Sequence, residues 1–437
     1  MSFDLPSLGV LSQTRKYTQD QNRLHDLEKV AKIVRADCVV DPGSLSPSTL
    51  SETRGHSRTV QEEIPKIVRW EKRYYLNPKD TIMTCDNVKC ERLAYPDKIP
   101  RDLKGAYIFY GISINFDDLP LPRHADKVFW GLLHEESPRT VHFFMYEIGL
   151  SLFNYSSTFS RYSDVPFPLH HLRSINDITS KKYFIETSKK NSMLKEISPI
   201  MYLQSNCGTS TERDSYVKQL MKYQLIDSYG YCLNNKQLPA EFKGDYMQIF
   251  EDDRFLKFVA RYKFVIAIES GVCDDYVTEK LWRAIHVGVV PIYFGSPSIK
   301  DWLPNDKSAI LLQDFPTPQL LSLHIDQLMQ DDEMYETYLE HKTKGIITNM
   351  KLDHELKSRP YQNDRDKLFN EFECFMCKKV HQLGNGSYKQ VMTKKHYNCP
   401  EPISALTQTV NPENMHLILK DNEKYKVLRI YHKVNGL

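Results

Sequence analysis

Apolar and polar positions fall into distinct regimes along the chain. From Met1 to about residue 60 no apolar period is sustained: Arg23 to Arg35 reads as one amphipathic charged helix, and Asp41 to Arg58, rich in Pro, Gly, Ser and Thr, reads as linker or stalk. From about Ile64 the pattern becomes globular. Short apolar runs at Lys104–Tyr110 (KGAYIFY) and Lys127–Leu133 (KVFWGLL) predict strands, and the second leads into His134-Glu135-Glu136-Ser137-Pro138. Residues 175–198 are polar and rich in Lys and Ser, which reads as a connection between two domains.

Two strand–loop–helix units follow. Pro199–Gln204 (PIMYLQ) predicts a strand, then a polar loop, then a helix with Tyr216, Val217, Leu220 and Met221 at helical spacing. Thr211 and Asp214 have the spacing of a helix-opening capping box. Lys263–Ile268 (KFVIAI) is continuously apolar and β-branched, as a strand buried on both faces of a parallel sheet must be. After the loop Glu269–Asp275, the residues Val277, Leu281, Ala284, Ile285 and Gly288 mark a helical face, and Val289–Phe294 (VVPIYF) is the next strand. Strand, helix and strand form a βαβ crossover, and parallel sheets of this kind bind ligands at the carboxyl ends of their strands. A ligand is therefore expected at the loop after Ile268.

Composition narrows the class. The 437 residues carry 58 Lys+Arg against 56 Asp+Glu, a net charge of +2, which lacks the basic excess of a nucleic-acid binder. With 41% hydrophobic and 26% charged residues the chain is an ordinary folded one, long enough for roughly two or three domains. No run approaches the roughly 18 apolar residues of a membrane span, and the start MSFDLPSLGVLSQTRKY lacks the order of a secretory signal. Taken alone, that points to the cytosol. Nine cysteines (38, 85, 90, 207, 232, 273, 374, 377 and 399) and the glycosylation sequons at Asn154 and Asn385 point instead to the secretory lumen. An odd number leaves at least one thiol free or intermolecular.

Candidate chemistry gathers at the second unit. A helix opening at Asp274-Asp275-Tyr276-Val277-Thr278-Glu279-Lys280 offers free N–H groups and a dipole to an anion such as a diphosphate. Lys280 adds a point charge, and Arg213, in the first turn of the other helix, adds a planar fork. Glu279 would repel phosphate but accept hydrogen bonds from a sugar, so the set suits a nucleotide-sugar; acids that merely complement the helix dipole are the alternative. No Gly-x-Gly-x-x-Gly and no Gly-x-x-x-x-Gly-Lys-Ser/Thr occurs. Either Glu135 or Glu136 could act as general base for a glycosyl transfer, or the run could be a solvated turn. Cys374-Phe375-Met376-Cys377 has zinc-ligand spacing but no matching second pair, since Cys85 and Cys90 are spaced more widely. Two disulfides closing a long loop compete with zinc, and with a redox-active thiol pair. Isolated His124 and His286 read as structural, and Asp331-Asp332-Glu333 as a solvated acidic helix start.

These residues carry a specific resemblance. Tyr262–Glu269, Cys273–Trp282 (CDDYVTEKLW) and Gly288-Val289-Val290-Pro291 resemble the donor-binding signature of the α-1,3-fucosyltransferase family, glycosyltransferase family 10. Glu135-Glu136-Ser137-Pro138 resembles its catalytic Glu-Ser-Pro. Leu132–Pro138, Phe153-Asn154-Tyr155, Thr158–Arg161, Arg213–Val217, Asp227–Gly230, Gly295–Ser298, Asp301–Pro304 and Phe372–Cys377 resemble the branch of fucosyltransferases ten and eleven, also described as protein O-fucosyltransferases three and four. The likeness covers roughly Val60 to Pro402.

The resemblance implies a GT-B type α/β fold, two facing Rossmann-like domains with GDP-β-L-fucose in the cleft and no obligatory metal or other cofactor. The expected division is an N-terminal stem over residues 1–60, an acceptor-side domain over 61–195 and a GDP-fucose domain over 196–350. A C-terminal segment, 351–437, would return to the first domain through its Cys-x-x-Cys. By position Glu136 becomes the general base of an inverting transfer. Arg213 and Lys280 would hold the diphosphate, Tyr276 would lie near the nucleotide, Glu279 would bind fucose, and Glu269-Ser270 would flank the donor. The family usually has Asn where this chain has Ser270, a shorter side chain with fewer hydrogen-bonding atoms, which implies weaker donor affinity. Its cysteine pattern implies bonds from Cys85 and Cys90 to Cys374 and Cys377, in unassigned order. Acceptors would be the Ser/Thr hydroxyl of a cysteine-rich secreted domain or the 3-hydroxyl of N-acetylglucosamine in a glycan. A glycan- or client-binding module without transfer is the alternative. The family implies a type II membrane anchor in the Golgi or endoplasmic reticulum, a segment that the hydropathy of this chain does not contain.

Overall fold

Two sheets organise the chain. The computed structural model describes residues 64–70, 81–95, 103–167, 172, 174–242, 252–359, 365–383 and 390–437. The Arg23–Arg35 helix, the Asp41–Arg58 linker and Asn385 lie outside the described residues. The first sheet holds β1 (Lys66–Arg69), β2 (Thr81–Cys85), β3 (Val88–Leu93), β4 (Gly105–Tyr110), β5 (Val128–His134) and β6 (Tyr155–Thr158), in the order β2-β3-β1-β4-β5-β6. Only the β2–β3 pairing is antiparallel. The second sheet is wholly parallel: β7 (Ile200–Gln204), β8 (Ile226–Gly230), β9 (Phe264–Ile268), β10 (Val290–Phe294) and β11 (Ile310–Leu311), ordered β11-β10-β9-β7-β8.

Strand parity explains the layers. All of β5 is buried, which requires cover on both faces. Val128, Trp130 and Leu132 enter one core, while Phe129 and Leu133 enter another. The intervening Gly131 leaves room for Phe372 and Met376, which an added Cβ would approach to 3.0 and 3.2 Å. These two residues belong to a long helix (Arg365–His381) that also bears Cys374 and Cys377. Cys374 bonds to Cys85 and Cys377 to Cys90, so zinc and redox-active readings of the Cys-x-x-Cys fall: both sulfurs are oxidised. In β9, Phe264, Ile266 and Ile268 enter one core and Ala267 the opposite one, where Leu281, Trp282 and Ile285 cover it.

Two helix starts differ from the sequence expectation. Helix α1 spans Arg213–Leu220, and its N-cap Glu212 is left-handed (φ 51°) with no side-chain cap bond. The Thr211/Asp214 capping box does not form. Asp214 accepts from the Tyr202 hydroxyl at 2.7 Å and from the Gly208 amide at 3.3 Å, while the Thr211 hydroxyl donates to the Glu269 carbonyl at 2.7 Å. Helix α2 spans Glu279–Val287 and is capped by Thr278; residues 274–278 are loop, even though their acids resemble a first helical turn. The terminal helix α3 (Met415–Asn435) packs on residues 142–150 of the first half. The acidic run at 331–333 opens a short helix, Asp332–Glu336, with Asp331 as N-cap.

Candidate active site

In the second sheet β7 lies beside β9, so chain order runs outward in opposite directions from that pair. Parallel sheets leave a crevice at such a reversal. The loops after β7 and β9 meet there. The Ser210 hydroxyl donates to the Ser270 carbonyl at 2.8 Å, and Thr211 to that of Glu269. Arg213 secures both loops through Nη1 to the Ile268 carbonyl (3.2 Å) and Nη2 to the Asn206 carbonyl (2.6 Å). Its guanidinium is 2% exposed and two of its N–H groups are committed to backbone, so it is less open than a free fork.

Glu269 is fully buried and accepts from the Thr278 amide and hydroxyl, both at 2.8 Å. Gly295 permits this, because a Cβ there would come within 2.6 Å of the Glu269 side chain. Burial pushes the Glu269 carboxyl upward, with Lys280 opposing. The Lys280 ammonium donates to the Thr278 hydroxyl (2.9 Å) and to Glu279 (3.1 Å), and lies 3.4 Å from Glu269. Burial alone lowers Lys280, but Glu279 and Glu269 more than offset it and the group ends above its ordinary value. Lys280 is therefore a permanent cation. Its charge is balanced by two carboxylates, Glu269 and Glu279. Glu279 also faces Arg283 at 4.0 Å.

The turn after β5 separates the two adjacent carboxylates. Glu135 is buried, 6% exposed, and accepts a short hydrogen bond from the Tyr110 hydroxyl inside the first half. Glu136 points the other way, as successive residues leaving a strand do, and its Oε2 accepts from the Tyr276 hydroxyl at 2.7 Å. Neighbouring His134 is fully buried, with Nδ1 2.8 Å from the Tyr397 hydroxyl; burial lowers it to about 3 and it is neutral. Close approach of this turn and the loop after β9 depends on Gly271, where a Cβ would meet Ser137 Oγ at 2.6 Å. The structure thus brings Glu136, Tyr276, Ser270, Glu269, Lys280 and Arg213 around one junction, with Glu279 bonded to Lys280.

Several constraints on this junction escape motif reading. Asp275, 2% exposed and left-handed (φ 64°), receives Arg161 through Nε (3.0 Å) and Nη2 (2.7 Å), the Ser298 hydroxyl (2.9 Å) and the Trp302 indole (3.2 Å). Arg161 also pairs with Asp301 at 3.1 Å and lies over the Trp302 ring. Cys273 is bonded to Cys399, and Cys207 to Cys232, two bridges that the sequence reading did not assign; with Cys85–Cys374 and Cys90–Cys377 they account for eight of the nine cysteines, and Cys38 is the ninth. Residues 398–416 form a strap over the junction. The Asp274 amide donates to the Asn398 carbonyl (3.3 Å), the Ala405 amide to that of Thr211 (2.7 Å) and Asn414 Nδ2 to that of Ser210 (3.0 Å). Arg139, in the turn after β5, donates to the Pro400 carbonyl. Among the described residues, the clusters with metal-ligand proximity, Cys90/Cys377/His381 and Cys207/Asp214/Cys232, are built on disulfide sulfurs and offer no thiolate.

Asn154 corrects an expectation. It is 5% exposed, its carbonyl accepts from Arg123 and the Trp130 amide, and its amide nitrogen donates to the Gln390 carbonyl. With its side chain buried and that nitrogen hydrogen-bonded, Asn154 as folded packs rather than presents an exposed glycan acceptor.

The second sheet is a doubly wound α/β sheet whose loops meet at the reversal of strand order, and a carboxylate of the first half, Glu136, faces that junction. The chain belongs to glycosyltransferase family 10: residues 189–395 match the profile "Glycosyltransferase family 10 (fucosyltransferase) C-term", and α-(1,3)-fucosyltransferase B of Drosophila melanogaster is 42% identical over 306 residues, 68% of each chain. The human GDP-fucose protein O-fucosyltransferase 3 is also 42% identical over 306 residues, 68% of this chain and 63% of its own; the match thus spans just under two thirds of that relative. A crystal structure of an α1,3-fucosyltransferase with GDP aligns at TM-score 0.44 and 16% identity, over 77% of this chain and 95% of that one.

Proposed function

We propose that this chain is an inverting fucosyltransferase that moves L-fucose from GDP-β-L-fucose to an acceptor hydroxyl, the Ser/Thr of a cysteine-rich secreted domain in preference to a glycan. The observation that carries the proposal is the hydrogen bond between Glu136 and Tyr276, which joins a carboxylate of the first half to the donor loop of the second. Family membership supports the donor class, and the human relative, a GDP-fucose protein O-fucosyltransferase, supports the preference for a protein acceptor.

In this reading the diphosphate lies at the amino end of α2, where Lys280, the helix N–H groups and the field of Arg213 offset the charge that builds on departing GDP. Glu269 holds Thr278 and Lys280 in register for that task, and Glu279 accepts from fucose hydroxyls. Glu136 takes the acceptor proton while the acceptor oxygen bonds to the anomeric carbon and the bond from that carbon to the phosphate oxygen breaks, releasing GDP. Attack opposite the leaving group turns a β donor into an α product. The domain division at about 195 and 350 belongs to this reading, with acceptor contacts in the first half. So does a secretory lumen, supported by four disulfides. Among the described residues no helix is long and apolar enough to cross a membrane; attachment is proposed from the family.

The test is GDP release and mass increase of candidate acceptors with purified protein and GDP-fucose. Acceptor-dependent release that Glu136→Gln abolishes supports transfer. Release equal in both proteins overturns it and favours the binding module, which the shorter Ser270 would suit.

A further inference from the structure

Tyr276 belongs to the motif through which the sequence reads nucleotide contact, yet its hydroxyl ends elsewhere. The side chain is 2% exposed, and its ring packs against Phe159 at 4.9 Å within the core of the first half. Its oxygen lies 2.7 Å from Glu136 Oε2 and 3.1 Å from Ser270 Oγ. Counting donors fixes the direction of this chain. An ionised carboxylate only accepts, so the single phenolic proton goes to Glu136, and the Ser270 hydroxyl proton points at the tyrosine oxygen. The phenol keeps that proton, because burial, Glu136 and Glu269 push its ionisation well above the ordinary value of 10. Among the described residues the Glu136 carboxylate is hydrogen-bonded through Oε2, to Tyr276.

We propose that Tyr276 is a positioning residue that pins Glu136 Oε2 and thereby presents Oε1 to the acceptor hydroxyl. The inference rests on Glu136 being the base. A carboxylate on a turn can rotate about its side-chain bonds, and reaction needs the abstracting oxygen within about 3 Å of the proton it takes. Tyr276 removes that freedom from a rigid, buried ring. It also wires the base to the loop that holds the donor, since Thr278 and Lys280 follow two and four residues later. Ser270 takes part by orienting the phenol.

Replacement of Tyr276 by Phe keeps the ring and removes only the oxygen. The expected result is a kcat lower by about tenfold, with GDP affinity by calorimetry within twofold of wild type. A second measurement is a double-mutant cycle on thermal stability with Tyr276→Phe and Glu136→Ala, in which the double variant melts higher than the summed single losses predict. Unchanged kcat, or GDP affinity reduced more than twofold, or additive melting losses, each overturns the proposal. Wild-type turnover in Glu136→Gln fails the base reading instead, which separates the two.

Discussion

Replacing Asp275 by Asn isolates the charge of a buried hub. The change keeps the side-chain shape and the tolerance for the left-handed backbone at this position (φ 64°), but it turns an amide group towards the Arg161 donors. Removing one partner of a buried pair costs about 3–5 kcal/mol. Arg161 is 19% exposed and retains Asp301 at 3.1 Å, which places the loss at the lower end, about 3 kcal/mol. Asp275→Ala loses in addition about 1 kcal/mol of backbone tolerance. Denaturant unfolding with the disulfides intact measures both. The pH dependence carries a definite sign. Burial raises the Asp275 carboxyl, but the Arg161 hydrogen bonds and charge more than offset it, so the folded-state value lies below the ordinary one. Its stabilisation is complete above the unfolded value of about 3.9 and fades as pH falls through the lower folded value. The gap between wild type and Asp275→Asn is therefore constant near pH 7 and narrows below about pH 4. An Asn variant within 1 kcal/mol of wild type at pH 7, or a gap that widens in acid, refutes the reasoning.

Lys280→Ala should weaken GDP binding at least tenfold, about 1.4 kcal/mol, and leave Glu269 buried without its cation; calorimetry with GDP checks it, and unchanged affinity removes Lys280 from the phosphate site. Glu136→Gln should leave GDP affinity intact and stop transfer, so loss of GDP binding would place that carboxylate on the donor instead. Paired Cys273→Ser and Cys399→Ser should cost about 2–4 kcal/mol, because a crosslink spanning 126 residues is lost, and melting measured with and without reductant reads it.

Much of the second sheet was legible because its signals are local. A run such as Phe264–Ile268 is apolar at every position, and the motif after it names the loop. The strands expected at 104–110, 127–133, 199–204, 263–268 and 289–294 each start within one residue of the observed bounds. What stayed hidden depends on partners far along the chain. Arg161 meets Asp275 across 114 positions, and nothing at either end announces the pair. The Thr-x-x-Asp spacing at 211–214 was genuine, but a capping box also needs an extended cap residue, and Glu212 is left-handed. The residue pattern alone left Glu135 and Glu136 undecided and the resemblance pointed to Glu136; the strand's alternation supplies the physical reason, sending one inward to Tyr110 and the other across to Tyr276.

The strap that crosses the loops after β7 and β9 has a practical consequence for anyone cutting this protein down. The family profile stops at residue 395, three positions short of the first strap contact at Asn398. A recombinant fragment trimmed to that limit would keep every signature residue yet discard Cys399, Ala405 and Asn414. Such a fragment would carry an unpaired Cys273 and two unlatched loops, so poor expression of it would report on where it was cut rather than on whether the proposed transfer occurs.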